Sequence, residues 1–508
     1  MPRRWKYDLY IDGKWTPGRG SREIDVIDPA TEESIGGVPE ASTKDAAAAI
    51  EAARRAFDDG PWPWMKPRER AAVLVKMAES LERRAAELRE LIVAETGALG
   101  LVLDAYQAGG VVPLFRTNAE QIVHAVDWVE ASPPTAGPTT IAGTALLREP
   151  VGVVAAITAF NFPFFLNVVK TAPALAAGCT VVLKPHPWTP LDAFLIAEAA
   201  EEADLPRGVL NVITGGADVG EELSGNPKVD MVSFTGSTAT GRRIMATAAS
   251  TIKKLHLELG GKSAQVVLDD VPEAAVAAIG FGAVLMHCGQ GCALPTRLLL
   301  PEKFLDAYEV GVRKARDKVV IGDPRDPKTT LGPLIRAEQR SRVEAYTQSA
   351  IDEGGRVLIG GRRPEGLAKG FFYEPTVYVG TNDMRVAREE IFGPCLTVIP
   401  YSGDDREAVR IANDSIYGLG GGVMSANGAR AFNVARQIRA GAVSATMVPT
   451  IAPAATGPGD GQGPGWGTSP AGIGQQGAFG GYKQSGVGRE WGRLGVEEFC
   501  EVKQLTWR

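Results

Sequence analysis

The sequence has few cysteines, no excess of charge of one sign and no uninterrupted apolar run of membrane-spanning length. Its 508 residues contain 5 cysteines, too few for a disulfide framework, and the odd number predicts reduced thiols in a cytoplasmic protein. Lys and Arg total 54 against 60 Asp and Glu, so the net charge of −6 provides no general attraction to nucleic acid or to an anionic membrane surface. We therefore expect neither partner.

One uncharged window, 151–169, approaches the roughly 20 residues that a spanning helix requires. Asn161, Pro163 and Asn167 interrupt this window, and its first residues are typical of a buried parallel strand. The basic N-terminal segment, Met1–Lys6, is not followed by the apolar run of a secretory peptide. Neither a membrane anchor nor export is expected.

Two long stretches of the chain alternate between strand-like and helix-like segments. With 44% hydrophobic and 22% charged residues, the composition is that of a folded protein, and the length predicts two or three lobes. The alternation predicts an α/β fold with parallel sheets covered by helices on both faces. In the first stretch we predict strands near 151–157, 180–184, 209–214 and 230–235 and helices near 165–177, 190–203 and 217–224. In the second we predict strands near 264–268, 296–300, 396–400 and 420–424 and helices near 272–286, 302–316, 336–353 and 404–413.

A segment rich in Gly and Pro lies near the C-terminus. Residues 449–481 contain 11 Gly and 5 Pro but a single charged residue, Asp460. This composition predicts a long surface loop that is either functional or disordered. The last segment, 498–507, alternates in the manner of a terminal strand, and such a strand is expected to pair with another lobe or another subunit.

A strand-to-helix turn carries the features of a phosphate site. The predicted strand 230–235 leads into Gly236 and Ser237, and a helical pattern begins near Gly241. Glycine lets the backbone approach a ligand, and a helix N-terminus presents free N–H groups and a partial positive charge. The spacing is G-x4-G rather than G-x-G-x-x-G, so these glycines predict either a dinucleotide site or simply a permissive turn.

Two cysteines lie among glycines in the segment 288–293. Cys288 and Cys292 could both be small buried apolar residues, which is the usual role of a free cysteine. Gly289 and Gly291 would instead leave room for a substrate and let backbone N–H groups face a sulfur, lowering its pKa. We favour Cys292 as a nucleophile, because it lies just ahead of Leu294-Pro295, where a helix would break, whereas Cys288 lies one turn earlier.

Two short motifs resemble sites that the rest of the sequence does not complete. Lys262 and Ser263 resemble the end of a P-loop, but His256 stands where that loop requires a glycine. His256 and Glu258 followed by two cysteines are similar to a zinc deaminase, yet the cysteine spacing is C-x3-C instead of C-x-x-C. ATP hydrolysis is not supported, and a zinc-dependent hydrolase stays only as an alternative.

Five motifs occur in a characteristic order along the chain. They are Phe160-Asn161-Phe162-Pro163, Glu258-Leu259-Gly260-Gly261-Lys262, Gly289-Gln290-Gly291-Cys292, Glu390-Ile391-Phe392-Gly393-Pro394 and Phe479-Gly480-Gly481-Tyr482-Lys483-Gln484-Ser485-Gly486. In order and spacing they resemble the aldehyde dehydrogenase superfamily over nearly the whole chain. The resemblance implies two Rossmann-like α/β lobes and a β oligomerisation arm. It places a cofactor-binding domain at 1–123 and 148–257, a catalytic domain at 258–447, a Gly/Pro-rich loop at 448–478 and the arm at 124–147 and 479–508.

The resemblance also implies a reaction and the residues that perform it. In the family a thiolate attacks an aldehyde, the hemithioacetal passes hydride to a nicotinamide, and water releases the acid from a thioester. Cys292 would be the nucleophile, and Asn161 with the Cys292 main-chain N–H would hold the oxyanion. Glu258 would activate the water. Lys170 and Glu490 match the positions of a proton relay, although a structural salt bridge explains them equally well.

Cofactor and substrate are implied in less detail. The family pattern assigns cofactor contacts to Lys184, Gly236, Ser237, Gly241, Leu259, Glu390 and Phe392, and no metal is expected. Pro187 stands where many NAD-preferring relatives carry a Glu, so NAD is expected first and NADP is an alternative.

The segment after Asn161 predicts an apolar, aromatic pocket wall without arginine, and Val169 stands where betaine aldehyde enzymes tend to have Trp. We therefore expect a hydrophobic aldehyde as the small-molecule substrate. A homodimer or homotetramer is implied by the arm. The alternatives are a CoA-acylating relative, against which Glu258 counts, and a non-catalytic scaffold.

Overall fold

The computed structural model describes residues 5–20, 22–448 and 477–508, and its first part is built around a large sheet. The Gly/Pro-rich loop predicted at 448–478 lies outside the described residues except at its two ends. The strands up to residue 258 are β1 (Trp5–Lys6), β2 (Leu9–Ile11), β3 (Lys14–Thr16), β4 (Glu23–Ile27), β5 (Ser34–Pro39), β6 (Val129–Ala136), β7 (Ile141–Pro150), β8 (Val153–Ile157), β9 (Thr180–Lys184), β10 (Leu210–Val212), β11 (Met231–Thr235) and β12 (Lys254–Glu258). The helices are α1 (Thr43–Asp58), α2 (Pro67–Arg83), α3 (Ala85–Thr96), α4 (Gly100–Tyr106), α5 (Val112–Thr117), α6 (Val123–Ala125), α7 (Pro163–Ala177), α8 (Asp192–Glu202), α9 (Ala217–Gly225) and α10 (Thr238–Ala248), with a π-helical turn at Asn118–Ile122.

The centre of the first sheet is parallel, in the order β12-β11-β8-β9-β10, with β2 and β3 antiparallel at one edge. Every residue of β8, β9 and β11 is buried, because helices cover both faces of a parallel sheet. The four strands predicted for this stretch are confirmed. No strand was predicted at β12, although its polar residues Lys254, His256 and Glu258 alternate with leucines in the period of a strand.

The second part contains another large sheet, which is parallel except for its edge strand β15. Its strands are β13 (Ala264–Val267), β14 (Arg297–Pro301), β15 (Arg356–Ile359), β16 (Thr376–Val379), β17 (Cys395–Tyr401), β18 (Gly420–Ser425) and β19 (Ala442–Met447), in the order β15-β16-β17-β14-β13-β18-β19. Its helices are α11 (Glu273–Val276), α12 (Phe281–Leu285), α13 (Leu305–Arg316), α14 (Ala337–Asp352), α15 (Arg385–Arg388), α16 (Asp405–Asn413) and α17 (Gly428–Ala435).

The helix predicted near 272–286 is wrong as a single element. Two short helices, α11 and α12, take its place, and they are separated at Gly280, whose φ is +80°. A left-handed residue ends a helix, and glycine adopts that conformation without a steric penalty. The chain then passes through a 3-10 turn at Met286–Gly289 and reaches Cys292 in a loop.

A third, smaller sheet is formed by β6, β7 and the terminal strand β21 (Cys500–Trp507), all antiparallel. The short strand β20 (Gly486–Val487) pairs instead with β12, and the helix α18 (Gly492–Glu497) follows it. The structure thus places β20, which lies within the predicted arm segment 479–508, at the edge of the first sheet, while β21 of the same segment pairs with β7. Among the described helices, none is both long and apolar enough to cross a membrane.

The fold brings the ends of several segments to one place. Because β9, β11 and β12 run parallel, their last residues Lys184, Thr235 and Glu258 lie at the same edge of the first sheet. The chain after β12 also meets the cysteine loop: a Cβ on Gly261 would lie 2.3 Å from the carbonyl oxygen of Cys292. Glycine is therefore required at position 261, where the segment after β12 passes the cysteine loop.

Candidate active site

Glu258 ends β12 and is buried, with 3% of its surface exposed. Its backbone carbonyl accepts a hydrogen bond of 3.0 Å from the Gly236 N–H, which ties the ends of two strands together. Within the described protein, both of its carboxylate oxygens are buried without a hydrogen-bond partner. Burial and the neighbouring Glu490 raise the pKa of Glu258 well above its ordinary value. A positioned carboxyl with free acceptor oxygens is suited to act as a general base.

Cys292 differs in burial from the other cysteines. It is partly exposed, whereas Cys179, Cys288, Cys395 and Cys500 are buried. Burial nevertheless raises the pKa of the Cys292 thiol, and the carboxyl groups of Glu390, Glu258 and Glu490 raise it further. Of the two cysteines in the loop, Cys292 is thus the one that a substrate can reach, and its proton needs an acceptor.

Asn161 lies directly beside the cysteine loop. It is buried, and its Nδ2 donates a hydrogen bond of 2.9 Å to the carbonyl of Gln290, two residues before Cys292. Gln290 is itself held, because its Oε1 accepts from the Ile335 N–H at 3.0 Å. A carboxamide has two N–H donors, so Asn161 keeps a second one for an oxyanion.

Lys170 and Glu490 form a buried ion pair. Lys170 is fully buried on α7, and its Nζ donates to Glu490 Oε1 at 2.9 Å and to Ser233 Oγ at 3.2 Å. His256 lies next to this pair, with its Nδ1 3.1 Å from Ser233 Oγ and its Nε2 3.7 Å from Glu258 Oε1. The ion pair is therefore connected to Glu258 through side chains of two neighbouring strands.

The first group of predicted cofactor residues surrounds the end of β11. Ser237 caps the N-terminus of α10, where its Oγ accepts from the Thr240 N–H at 3.2 Å. A Cβ on Gly241 would lie 2.6 Å from the Leu259 side chain, so this glycine allows α10 to pack against that leucine. The Thr235 hydroxyl at the strand end is buried without a partner among the described residues, which fits a polar ligand.

Lys184, Glu390 and Phe392 complete the predicted cofactor residues. Lys184 is buried at the end of β9, and burial lowers its pKa to about 8. Glu390 Oε1 accepts from the Gly261 N–H at 3.0 Å, and burial raises the pKa of this carboxyl to about 7. Phe392 has a left-handed φ of +62°, and its ring meets the Phe160 ring edge-on at 5.5 Å.

Aromatic side chains lie between Asn161 and Lys170 in the sequence and on either side of Glu490. The Phe162 ring lies 5.0 Å from His287, and Phe165 lies 6.2 Å from Trp491. Trp491 in turn stacks on Phe479 with a centroid distance of 4.6 Å. The rings of Phe162, Phe165, Phe479 and Trp491 are partly buried. Together they form an apolar surface next to the segments that carry Lys170 and Glu490.

The sequence profile of the aldehyde dehydrogenase family matches residues 15–505, which is nearly the whole chain. The chain belongs to the aldehyde dehydrogenase family. It is 39% identical over 505 residues to 3-succinoylsemialdehyde-pyridine dehydrogenase from a Pseudomonas species, a comparison that covers 98% of each protein.

Solved structures of aldehyde dehydrogenases also match the fold. The Mycobacterium tuberculosis aldehyde dehydrogenase complexed with NAD+ is 42% identical, with a TM-score of 0.89 over 99% of this chain and 98% of that one. A mutant of aldehyde dehydrogenase C from Pseudomonas syringae, complexed with NAD+ and octanal, is 36% identical, with a TM-score of 0.86 over 98% and 96%. The predicted family, the α/β fold and the assignment to an oxidoreductase class are confirmed.

Sequence reasoning missed some contacts around the predicted residues. Ser233 and Gln290 were not singled out as partners, and His256 was considered only for motifs that the chain does not contain. The period of two in a strand could have placed His256 and Glu258 on the same face of β12. Among the described residues, no three His, Cys, Asp or Glu side chains are grouped so that they could hold a metal ion.

Proposed function

We propose that the protein oxidises a hydrophobic aldehyde to the carboxylic acid, with Cys292 as nucleophile and NAD as hydride acceptor. The observation that carries this proposal is the pairing of a reachable thiol with a base. Cys292 is the partly exposed cysteine, and Glu258 holds two unpartnered oxygens close enough to influence its pKa. Neither feature is needed for a protein that only keeps the fold.

The first step would form a covalent bond between Cys292 and the substrate. The Cys292 thiol loses its proton to solvent, and the thiolate adds to the aldehyde carbon as the C=O π electrons move onto oxygen, which leaves a hemithioacetal with charge on oxygen. The second N–H of Asn161 and the main-chain N–H of Cys292 are the proposed donors to that oxygen. Bound NAD would supply a hydride acceptor, so that the hemithioacetal carbon reaches the oxidation level of a thioester.

The second step would hydrolyse the thioester. Glu258 removes a proton from a water molecule, the resulting hydroxide attacks the thioester carbon, and the acid leaves as the Cys292 sulfur is released. Lys170 and Glu490 lie beside this carboxyl and are proposed to pass its proton onward. A base for water distinguishes this reaction from acyl transfer to coenzyme A, which needs none.

The residues around β11 fit a dinucleotide. The α10 N-terminus with Ser237 would face phosphate, and Lys184 and Glu390 would hold ribose hydroxyls. Two relatives are complexed with NAD+, which supports NAD for this chain. Pro187 supplies no carboxylate against a 2′-phosphate, so NADP is the comparison that a test must include.

The proposed substrate is apolar because the surface following Asn161 is aromatic. Phe162, Phe165, Phe479 and Trp491 provide stacking area, and α7 contains no arginine that could bind a second carboxylate. The octanal in one relative's complex is an apolar aldehyde of this kind. Betaine aldehyde is the contrasting substrate, since it carries a permanent cation.

We further propose the domain division and the oligomer stated above. The sheet of β6, β7 and β21 exposes large apolar side chains, namely Val129, Ile141, Val502, Leu505 and Trp507. Exposed apolar area of this kind marks a protein interface, and a second copy of the chain is the proposed partner. Light scattering of the purified protein tests for a dimer or tetramer. A cytoplasmic location is proposed from the five free cysteines.

A substrate panel tests the proposal directly. Octanal, benzaldehyde and betaine aldehyde are each assayed with NAD and with NADP, and the product is identified as free acid or, with coenzyme A present, as acyl-CoA. We expect NADH and free acid with the first two aldehydes and at least about tenfold lower kcat/KM with the third. Acyl-CoA as the main product would establish the acylating alternative, and no NADH with any aldehyde would refute the proposed function.

A further inference from the structure

His256 shares one face of β12 with Glu258. Residues two apart on a strand point to the same side, so both side chains project from this face. In the parallel register, His256 is opposite Ser233 and Glu258 is opposite Thr235. His256 is 1% exposed, and a Cβ on the neighbouring Gly488 would lie 2.4 Å from its ring. The imidazole is therefore held in a fixed place between two strands and the C-terminal segment.

The hydrogen bonds around Ser233 are compatible with one tautomer of His256 in particular. The Lys170 ammonium can only donate, so Ser233 Oγ accepts from its Nζ at 3.2 Å. The Ser233 hydroxyl proton can then be donated to His256 Nδ1 at 3.1 Å, an arrangement in which Nδ1 is the acceptor. In a neutral imidazole the other nitrogen then carries the hydrogen, and this Nε2–H faces Glu258 Oε1 at 3.7 Å.

The surroundings keep His256 neutral. Burial lowers its pKa well below the ordinary value, and the positive charges of Lys170 and Arg489 lower it further. Three carboxyl groups lie near the ring: Glu258 on the same strand, Glu490, whose Oε1 lies 3.8 Å from Nδ1, and Glu498, which also borders Gly488. Glu498 Oε1 accepts from the Arg489 N–H at 3.0 Å. Glu490 is already paired with Lys170 at 2.9 Å, which leaves Glu258 as the carboxylate without a partner.

We propose that His256 is a positioning residue whose Nε2–H orients the Glu258 carboxylate for thioester hydrolysis. The proposal rests on the proposed function, because it assumes that Glu258 is the base for water. Both Nε2 and Oε1 are buried and unpartnered among the described residues, and a hydrogen bond between them requires the 3.7 Å separation to shorten by about 0.5 Å. The charged form of Glu258 gains this bond, so His256 favours the carboxylate over the neutral acid.

The test separates hydrolysis from the preceding steps. Wild type, His256→Asn and His256→Gln are mixed with NAD and a reactive aldehyde, and the NADH burst and the rate of thioester hydrolysis are measured from pH 5 to pH 9. Asn can still accept from Ser233 but does not reach Glu258, whereas the longer Gln can offer an N–H near the position of Nε2. His124→Asn, at an exposed position, is the matched control.

We expect His256→Asn to keep the burst and to hydrolyse the thioester about tenfold more slowly at neutral pH. The low-pH limb of its hydrolysis profile should move to higher pH by about one unit, since the Glu258 carboxylate loses a donor. His256→Gln should regain part of the rate and of the profile. The His124 variant should match wild type.

Three results would overturn the proposal. Hydrolysis in His256→Asn with the wild-type rate and pH profile would exclude the hydrogen bond, and equal loss of burst and hydrolysis would indicate a structural role only. If that variant does not fold, Ser233→Ala replaces it: without the hydroxyl proton, Nε2–H is no longer favoured, and an unchanged profile would contradict the inference. A wild-type protein without any burst would instead refute the proposed function, on which the role of His256 depends.

Discussion

The proposed nucleophile, Cys292, and the proposed base, Glu258, are held in different ways. Cys292 sits in a loop after a broken helix, where Asn161 and Gln290 hold the loop through hydrogen bonds between neutral groups, while burial and the carboxyl groups of Glu390, Glu258 and Glu490 raise the pKa of its thiol. Glu258 ends a strand in a buried set of ionisable residues, with His256 beside it and Glu490 behind. On the cysteine side, around Cys292, hydrogen bonds to the backbone fix the positions of the groups. On the glutamate side, around Glu258, neighbouring charges determine which groups are protonated.

This difference has a consequence for substitutions. Removing a neutral group on the cysteine side should slow bond formation without displacing its pH profile, because the burial and the carboxyl groups that raise the pKa of the Cys292 thiol are unchanged. Removing a group on the glutamate side should change hydrolysis and its pH dependence, because buried charges are strongly coupled. Substitutions of Cys292, Glu258 and Asn161 separate the effect on bond formation from the effect on hydrolysis and its pH dependence.

Replacing the nucleophile should have the largest effect. Cys292→Ala removes the sulfur that bonds to the substrate, so we expect kcat/KM to fall by at least about 10⁴-fold. Cys288→Ser is the matched control, because Cys288 is buried and has no proposed contact with substrate. Steady-state NADH formation measures both. Comparable losses in the two variants would contradict the choice between the cysteines.

Replacing the base should act on hydrolysis. In Glu258→Gln the water loses its proton acceptor, and we expect the steady-state rate to fall by about 10³-fold. The NADH burst should survive, since removing this carboxyl also removes one of the groups that raise the pKa of the Cys292 thiol. Stopped-flow spectroscopy resolves the burst. Loss of the burst would show that Glu258 also activates the Cys292 thiol. The cysteine side and the glutamate side would then not act separately.

Asn161→Ala should have a smaller effect on the cysteine side. The variant loses one proposed oxyanion donor and the bond to the Gln290 carbonyl, and we expect a loss of about 10²-fold in burst rate. Because the lost group is uncharged, the pH profile should keep its shape. Burst rates between pH 6 and pH 9 measure both quantities, with Asn167→Ala, on the following helix α7, as a control for polar deletion. A displaced profile would mean that Asn161 also affects an ionisable group.

Sequence reasoning predicted much of the fold because its signals are local. The buried strands β8, β9, β11, β13, β14, β17 and β18 are short apolar runs that period and composition identify. The break at Gly280 was missed because a glycine in a helical pattern does not reveal its φ. Strand order and the joining of β20 to β12 were also beyond reach, since long-range pairing leaves no local signal.

For the site, the sequence identified residue types better than their partners. Motifs singled out Cys292 and Glu258, but not the contact between Lys170 and Ser233, which are 63 positions apart. The glycines around the cysteine were interpreted as room for a substrate. In the fold, a Cβ on Gly289 would lie 2.0 Å from the Gly393 carbonyl, and one on Gly291 2.8 Å from Leu294. Their small size is thus already required by packing.

Replacing Glu390 should have the smallest effect, and it tests whether a buried carboxyl group also controls the pH dependence of cofactor binding. Burial raises its pKa to about 7, so the carboxylate fraction increases between pH 6 and pH 8. A carboxylate accepts hydrogen bonds from ribose hydroxyls better than the neutral acid does, and we therefore expect KM for NAD to fall about fivefold over this range. Glu390→Gln should flatten that dependence, whereas Glu389→Gln should retain it, because burial, Tyr346 and Arg385 together leave the Glu389 pKa below its ordinary value. If KM for NAD still depends on pH in Glu390→Gln, another group must cause that dependence. Buried carboxyl groups would then set the pH response only around Glu258.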